Sequence, residues 1–502
     1  MTAPTELWSA AEALAADAYT MSALGVPSAV LMERASLTVA AEVQARAGQG
    51  PVVCLVGPGN NGADALAVAR ILAGRGMTCT AWLVTERRND AAQAQLAIAR
   101  AHGVAVTGTS EALPQGATWV DGLLGTGARG VPRGEVAEAM AWLQSRQGAV
   151  VAIDAPSGVD VDTGAAASTS VRADCTVTFV RSKLGLHVTP GRDHAGAVVI
   201  ADIGITASAE GTSIGTLLTT QGVAAQMRAV PGLRDAGHKG HRGHVGVLGG
   251  SAHTEGAVLL AGAAAMRAGA GLCTLVVPEG AAGTGARPEL MQAPWGEPWA
   301  PRASVLVVGP GLTGPVEPDA LARLFLEDPR PAVWDASGLD HVPLHVDAAG
   351  PRVLTPHPGE AARLLARADP AAGWTTAKVQ ASRVEAVVQL QAATRSTVVL
   401  KGAGTLLAGP EGLRVATEGT AALATAGSGD VLAGAIGAWL GRGLGADAAA
   451  DVAVSVHGRA GMVASSKVGT ALAMDIADAL PWAERALLAG EPGTHDPAVV
   501  AG

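Results

Sequence analysis

Short, mainly apolar runs recur along this chain, alternating with alanine-rich stretches. In the first half the runs are 52–57, 78–84, 104–107, 118–121, 150–154, 176–180 and 197–203. In the second half they are 244–248, 272–277, 305–309, 332–335, 352–355 and 397–401. A strand that is apolar along its whole length, rather than at alternate positions, needs cover on both faces. Such strands with helices between them form parallel sheets sandwiched by helices, so the fold class is α/β with αβα layers. The pattern starts twice and lapses over 204–233, where no sustained strand is expected. The domain boundary is therefore expected at 210–228, giving domains 1–215 and 225–502 in a chain of 502 residues.

Composition narrows the choice further. Hydrophobic residues make up 49% and aromatics only 3%, so small aliphatic side chains must fill the cores. With 35 basic and 44 acidic side chains the formal charge is 35 − 44 = −9, which disfavours a nucleic-acid footprint. Cys54, Cys79, Cys175 and Cys273 lie far apart with no CxxC pair, which argues against a disulfide scaffold or structural zinc. No run reads as a secretory signal or a membrane span, so a cytoplasmic protein is expected.

The turns carry the chemistry. Gly57-Pro58-Gly59-Asn60-Asn61-Gly62-Ala63-Asp64 links a buried strand to a helix, and free amides at a helix start favour an anion. The same glycines would also serve an ordinary strand–turn–helix. Asp121-Gly122-Leu123-Leu124-Gly125-Thr126-Gly127 and Asp154-Ala155-Pro156-Ser157 follow two later strands. Ligands bind beyond the carboxyl ends of parallel strands, so Asn61, Asp121, Asp154 and Ser157 converge on one pocket. Their hard oxygens suit an alkali or alkaline-earth cation rather than zinc.

These segments resemble the NAD(P)H-hydrate epimerases, the YjeF N-terminal domain. PGNNGADAL, DGLLGTGARG, VAIDAPSGVDVDTG and FVRSKLGLHVTPGRDHAGAVVIADIGI occur in that family's order across 10–210. The resemblance implies a Rossmann-like first domain. It implies that Asn60, Asn61, Gly62, Ala63 and Asp64 contact a nicotinamide hydrate, with Gly125, Thr126, Gly127, Ala128, Arg129, Gly130, Val131 and Asp154 lining it. It implies potassium (K+) held by Asn61, Asp121 and Ser157. Lys183 is a candidate catalytic partner of Asp154, against the alternative of a solvated surface lysine. Ala63 and Ala65 stand where the family has glycine, and their methyl groups are expected to crowd the phosphate approach.

In the second half, Ala424-Thr425-Ala426-Gly427-Ser428-Gly429-Asp430 opens a helix expected over 431–440. Two glycines allow an amide cradle, and a carboxylate at that position can take a proton from an attacking hydroxyl. A plain N-cap aspartate would read the same way. With GHKGHRGHVGVLGGS, VVGPGL, VLTPHPGEAARLL and VVLKGAGT in order, the stretch 228–490 resembles the ribokinase-like ADP/ATP-dependent NAD(P)H-hydrate dehydratases. That resemblance puts Ala257, Gly311, His357 and Asp430 on the hydrate. It puts Lys401, Gly402, Ala403, Gly404, Thr405, Gly427, Ser428 and Gly429 on the nucleotide, ADP or ATP with magnesium (Mg2+). The family's DADAL reads here Asp335-Ala336-Ser337-Gly338-Leu339, so Asp335 is kept as a contributor and the role of the second acid is open. His238, His241 and His244 are read as a phosphate-side loop with Lys239 and Arg242, not as a metal triplet. The implied whole is a bifunctional enzyme acting on NADH and NADPH hydrates, with small-molecule substrates, no membrane partner and self-association as a homo-oligomer. A ribokinase-like kinase, an NAD-dependent oxidoreductase and a silent scaffold are the rival readings.

Overall fold

The computed structural model describes residues 5–111, 113–206, 213–230, 238–278, 287–296, 298–313 and 317–501. The chain divides into two compact units, Met1–Thr216 with Pro497–Gly502, and Leu217–Asp496. Part of the expected boundary, 210–212, lies outside the described residues.

The first unit is built on an eight-stranded sheet. Its order is Ala498–Ala501, Ala197–Asp202, Cys175–Phe179, Val150–Ile153, Thr118–Gly122, Val52–Val56, Cys79–Leu83, Ala105–Thr107. Every pairing is parallel. The chain leaves Val52–Val56 toward one edge and returns on its other side at Thr118–Gly122, so the strand order reverses between these two. A crevice opens at such a reversal. The helix Asn60–Gly74 leaves the sheet there and is buried nearly all round, from Gly62 to Ala69 and at Ile71 and Leu72. A helix with no polar face belongs between layers, and this one packs on Ser28–Ala47 and Asp90–Ala101. A short strand, Glu6–Trp8, pairs in parallel with Ser182–Lys183 and antiparallel with Gly215–Leu218. The last of these corrects the expectation that 204–233 holds no strand; its four residues are too few to register as a pattern.

In the second unit the order runs Met291–Pro294, Leu272–Val277, His244–Leu248, Val305–Val308, Ala332–Trp334, Arg352–Leu354, Thr397–Leu400, Leu406–Gly409, Gly412–Ala416. The parallel expectation holds up to Thr397–Leu400; Leu406–Gly409 and Gly412–Ala416 then pair antiparallel. Two residues, Pro410 and Glu411, join those last strands, and a two-residue link permits only a hairpin. The helix Ser428–Gly441 is buried from Val431 to Leu440 and packs on Glu255–Arg267. Burying each large side chain there, Trp439 among them, contributes about 1.5–3 kcal/mol. The four cysteines are free and buried. Among the described residues no helix is long and apolar enough to cross a membrane.

Candidate functional sites

Both anion-cradle helices begin on glycine. Gly59 precedes Asn60–Gly74 and Gly427, at φ +85°, precedes Ser428–Gly441; among the described residues no side chain caps either start. First-turn amides are therefore left for a ligand, except that of Ser428, which donates to the Thr425 carbonyl at 3.3 Å.

At the first of these starts the turn is so tight that a Cβ on Gly62 would lie 2.1 Å from the Gly57 carbonyl oxygen. A cavity of ≈ 540 Å³ opens beside it. Asn60, Asn61, Asp64, Gly125, Thr126, Gly127, Ala128, Asp154 and Lys183 all line that cavity. Gly62 and Ala63 are buried and do not line the cavity; the Ala63 methyl packs in the core. Ala65 is likewise buried, its Cβ against Gly122, so neither alanine crowds the ligand side. Gly130 and Val131 line a separate cavity of ≈ 320 Å³ beyond the 124–128 turn. Arg129, half-exposed, pairs with Asp162 at 3.3 Å.

Lys183 is 2% exposed, which excludes the solvated-surface alternative. Its Nζ donates to Asp154 Oδ1 at 2.9 Å and to Thr178 Oγ1 at 2.8 Å. Asp154 also accepts from the Thr126 amide at 3.1 Å and has φ +65°, a conformation rare for a side-chain-bearing residue. Burial works to raise Asp154, but Lys183 and Thr126 outweigh it and hold the carboxyl below its ordinary range. Asp64, facing no cation so closely, is pushed well up by burial and by Asp154 and Asp17.

Asn61, Asp121 and Ser157 meet around Leu124. Ser157 Oγ donates to Asp121 Oδ1 at 2.7 Å and accepts from the Leu124 amide at 2.9 Å. The Asn61 amide donates to the carbonyls of Leu124 and Ile153 at 2.9 and 3.2 Å. Burial pushes Asp121 up to about 6, against the hydrogen bonds from Ser157 and Leu123. The side-chain and carbonyl oxygens gathered here are the donor chemistry of an alkali cation.

In the second unit a cleft of ≈ 400 Å³ brings together Asp335, His357, Lys401, Gly402, Gly427, Ser428, Gly429 and Asp430. Lys401 Nζ lies 2.8 Å from Asp335 Oδ1 and 3.9 Å from Glu360 Oε2. Thr355 Oγ1 donates to the same Asp335 oxygen at 2.7 Å. Burial would lower Lys401, yet Asp335 and Glu360 keep it raised and charged. Asp430 is pushed up to about 7, first by burial and then by Asp335, with Lys401 opposing. His357 also caps the helix Pro358–Ala368: its Nδ1 accepts from the Gly359 amide at 3.0 Å while Glu360 Oε2 accepts the His357 amide at 2.8 Å. Ser428 turns its hydroxyl back to the Leu423 carbonyl and its amide to the Thr425 carbonyl. Thr405 bonds to the Gly402 carbonyl and Gly404 is buried; neither lines the cleft, and Ala403 beside them is exposed.

Ala257 and Gly311 touch each other but do not line that cleft; a Cβ on Gly311 would sit 2.9 Å from the Ala257 Cβ. Ser337 does not line it either, whereas Ala336 does. His244 turns its ring to Thr274, at 2.7 Å, while His238 and His241 stack with centroids 3.7 Å apart. Among the described residues no group of three or more His, Cys, Asp or Glu is arranged to hold a metal ion. Sequence reasoning missed Glu360 and Asp17. Glu360 had a signal, three residues after a polar cap; Asp17, on the helix Ala10–Ser22, had none.

Two family models match the chain. One, described as YjeF-related protein N-terminus, covers residues 28–185, and the other, described as NAD(P)H-hydrate dehydratase, covers 245–482. The bifunctional NAD(P)H-hydrate repair enzyme Nnr of Moorella thermoacetica is 36% identical over 96% of this chain and 97% of its own length. The Mycobacterium tuberculosis protein of the same name is 38% identical over 86% and 88%. Among solved structures, the Bacillus subtilis ADP/ATP-dependent NAD(P)H-hydrate dehydratase, co-crystallised with ATP and Mg2+, aligns with 54% of this chain and 98% of its own at 28% identity and a TM-score of 0.48.

Proposed function

Because the chain belongs to the bifunctional NAD(P)H-hydrate repair enzymes, we propose which of its residues do that work. The first unit interconverts the R and S hydrates of NADH and NADPH. The second dehydrates the S hydrate at the expense of ADP or ATP. The observation that carries the assignment is Asp430: a carboxyl brought near neutrality, in a cleft, on an uncapped glycine-started helix.

Hydroxide is a poor leaving group, and phosphorylation remedies that. Asp430 takes the proton of the C6 hydroxyl as its oxygen attacks the terminal phosphorus of the nucleotide. The first-turn amides of Gly429 and Asp430, with Lys401, receive the charge that develops on the phosphoryl oxygens. Phosphate then leaves with the C6–O electron pair, a proton leaves C5, and the ring double bond returns. Asp335 and Asp430, the two carboxylates lining the cleft, would face magnesium brought in with the nucleotide's phosphates, where it would offset phosphate charge. In the first unit the uncapped amides of Asn60–Gly74 take a phosphate of the dinucleotide, and Asp154, kept ionised by Lys183, serves as a base. Asn61, Asp121 and Ser157 would hold potassium, whose charge steadies the carbonyls around the turn.

The test supplies the full chain with a mixed R/S NADH hydrate, ADP and magnesium, and follows NADH absorbance, with ATP in a parallel arm. Wild type recovers all the NADH. Asp430→Asn abolishes recovery, and Asp154→Asn halts it when the S epimer is consumed. Recovery at wild-type speed by Asp430→Asn would refute the assignment.

A further inference from the structure

We propose that Asp17 is a second catalytic carboxylate of the epimerising cavity, acting on the ring face opposite Asp154. The proposal rests on the reading of Asp154 given above. The cavity has two kinds of wall. One is the sheet edge, bearing Asn61, Thr126, Asp154 and Lys183. The other is the pair of helices Ala10–Ser22 and Ser28–Ala47, which present Leu14, Met21, Leu31 and Met32. Among the described residues, Asp17 is the one ionisable group that this helical wall turns to the cavity.

Inverting C6 by loss and regain of its hydroxyl makes demands on both faces of the ring. On one face an acid gives a proton to the C6 hydroxyl; the C6–O bond breaks, water leaves with the electron pair, and the ring nitrogen's lone pair forms a C=N bond. On the other face a base takes a proton from water as its oxygen bonds to C6, and the π pair returns to nitrogen. The epimer forms, one carboxyl has lost a proton and the other has gained one, and exchange with solvent resets the pair. A lone Asp154–Lys183 wall can serve one face only.

The electrostatics separate the two carboxyls as the roles require. Burial and then Asp154 raise Asp17, with Lys183 opposing, while Asp154 is held low. The charged groups lining the cavity are Asp17, Asp64, Asp154 and Lys183. Asp64 is raised too, but it belongs to the helix Asn60–Gly74 at the sheet edge and is 9% exposed.

The experiment starts from separated S hydrate without nucleotide, so that the second unit is idle, and follows formation of the R epimer above the uncatalysed rate by chromatography. Asp17→Asn should lower kcat by about 10²–10⁴-fold with KM within a few-fold, and Asp17→Glu should recover part of the loss. Unchanged thermal unfolding of Asp17→Asn accompanies that result. Epimerisation by Asp17→Asn at wild-type kcat overturns the proposal, as does an effect confined to KM, or no gain from Asp17→Glu over Asp17→Asn. Loss in Asp64→Asn with Asp17→Asn unaffected gives the role to Asp64. Wild-type speed in Asp154→Asn would instead sink the site reading itself.

Discussion

Asp154 and Asp430 are aspartates on glycine-rich turns, yet their surroundings drive them apart. Lys183 at 2.9 Å keeps Asp154 ionised against its burial. Asp430 has no cation so close; burial, Asp335 and Glu360 outweigh Lys401 and bring it to about 7. A base must be ionised to work, so dehydration kcat/KM should rise with pH through about 7 and level off above it. At pH 5 the ionised fraction, and with it the rate, falls about a hundredfold. Glu360→Gln removes one of the charges raising Asp430, so the limb should move to lower pH; a pH–rate series on both proteins checks this, and an unmoved or alkaline-shifted limb contradicts it. The place of Asp430 in the first turn of a helix was legible from AGSGD, because a local motif carries it. Its acidity was not, because Asp335 and Glu360 reach it only across strands far apart in the chain.

At the scale of elements, the tightest constraint is the start of Asn60–Gly74. A side chain on Gly62 would overlap the Gly57 carbonyl, which belongs to the turn itself and cannot swing aside. Gly62→Ala should therefore displace the first-turn amides. It is expected to abolish epimerisation and lower the first unit's stability by about 1–3 kcal/mol, while S-hydrate dehydration continues. Separate assays of the two reactions on one preparation decide it; normal epimerisation would mean that the turn is not the binding element. Strands covered on both faces were readable from their mainly apolar runs. Leu406–Gly409 and Gly412–Ala416 escaped that reading because glycine and Arg414 interrupt the pattern, and their antiparallel pairing follows from the short link. Glu6–Trp8 and Ser182–Lys183 escaped because so short a strand exists only through its neighbour.

At the scale of the whole molecule, the last strand is the surprise. Ala498–Ala501 pairs with Ala197–Asp202, Ala498 opposite Val199, so the chain's final residues belong to the first unit's sheet. Removal of 497–502 would leave Ala197–Asp202 as a bare edge. At about 1 kcal/mol per lost backbone hydrogen bond, the first unit's melting temperature should drop by roughly 5–10 °C. Calorimetry of the truncated chain, together with heat inactivation of both activities, tests this; equal loss of both, or none, would contradict it. The amino-acid order by itself determined the layered α/β class, the two-fold start of the pattern and the glycine turns, since each depends on residues near one another in the chain. The tertiary structure alone decided that Lys183 is buried on Asp154, that Ala63 and Ala65 face inward and that Asp17 enters the cavity. Desolvation and Coulomb interaction depend on distance in space, and no spacing along the chain encodes that distance.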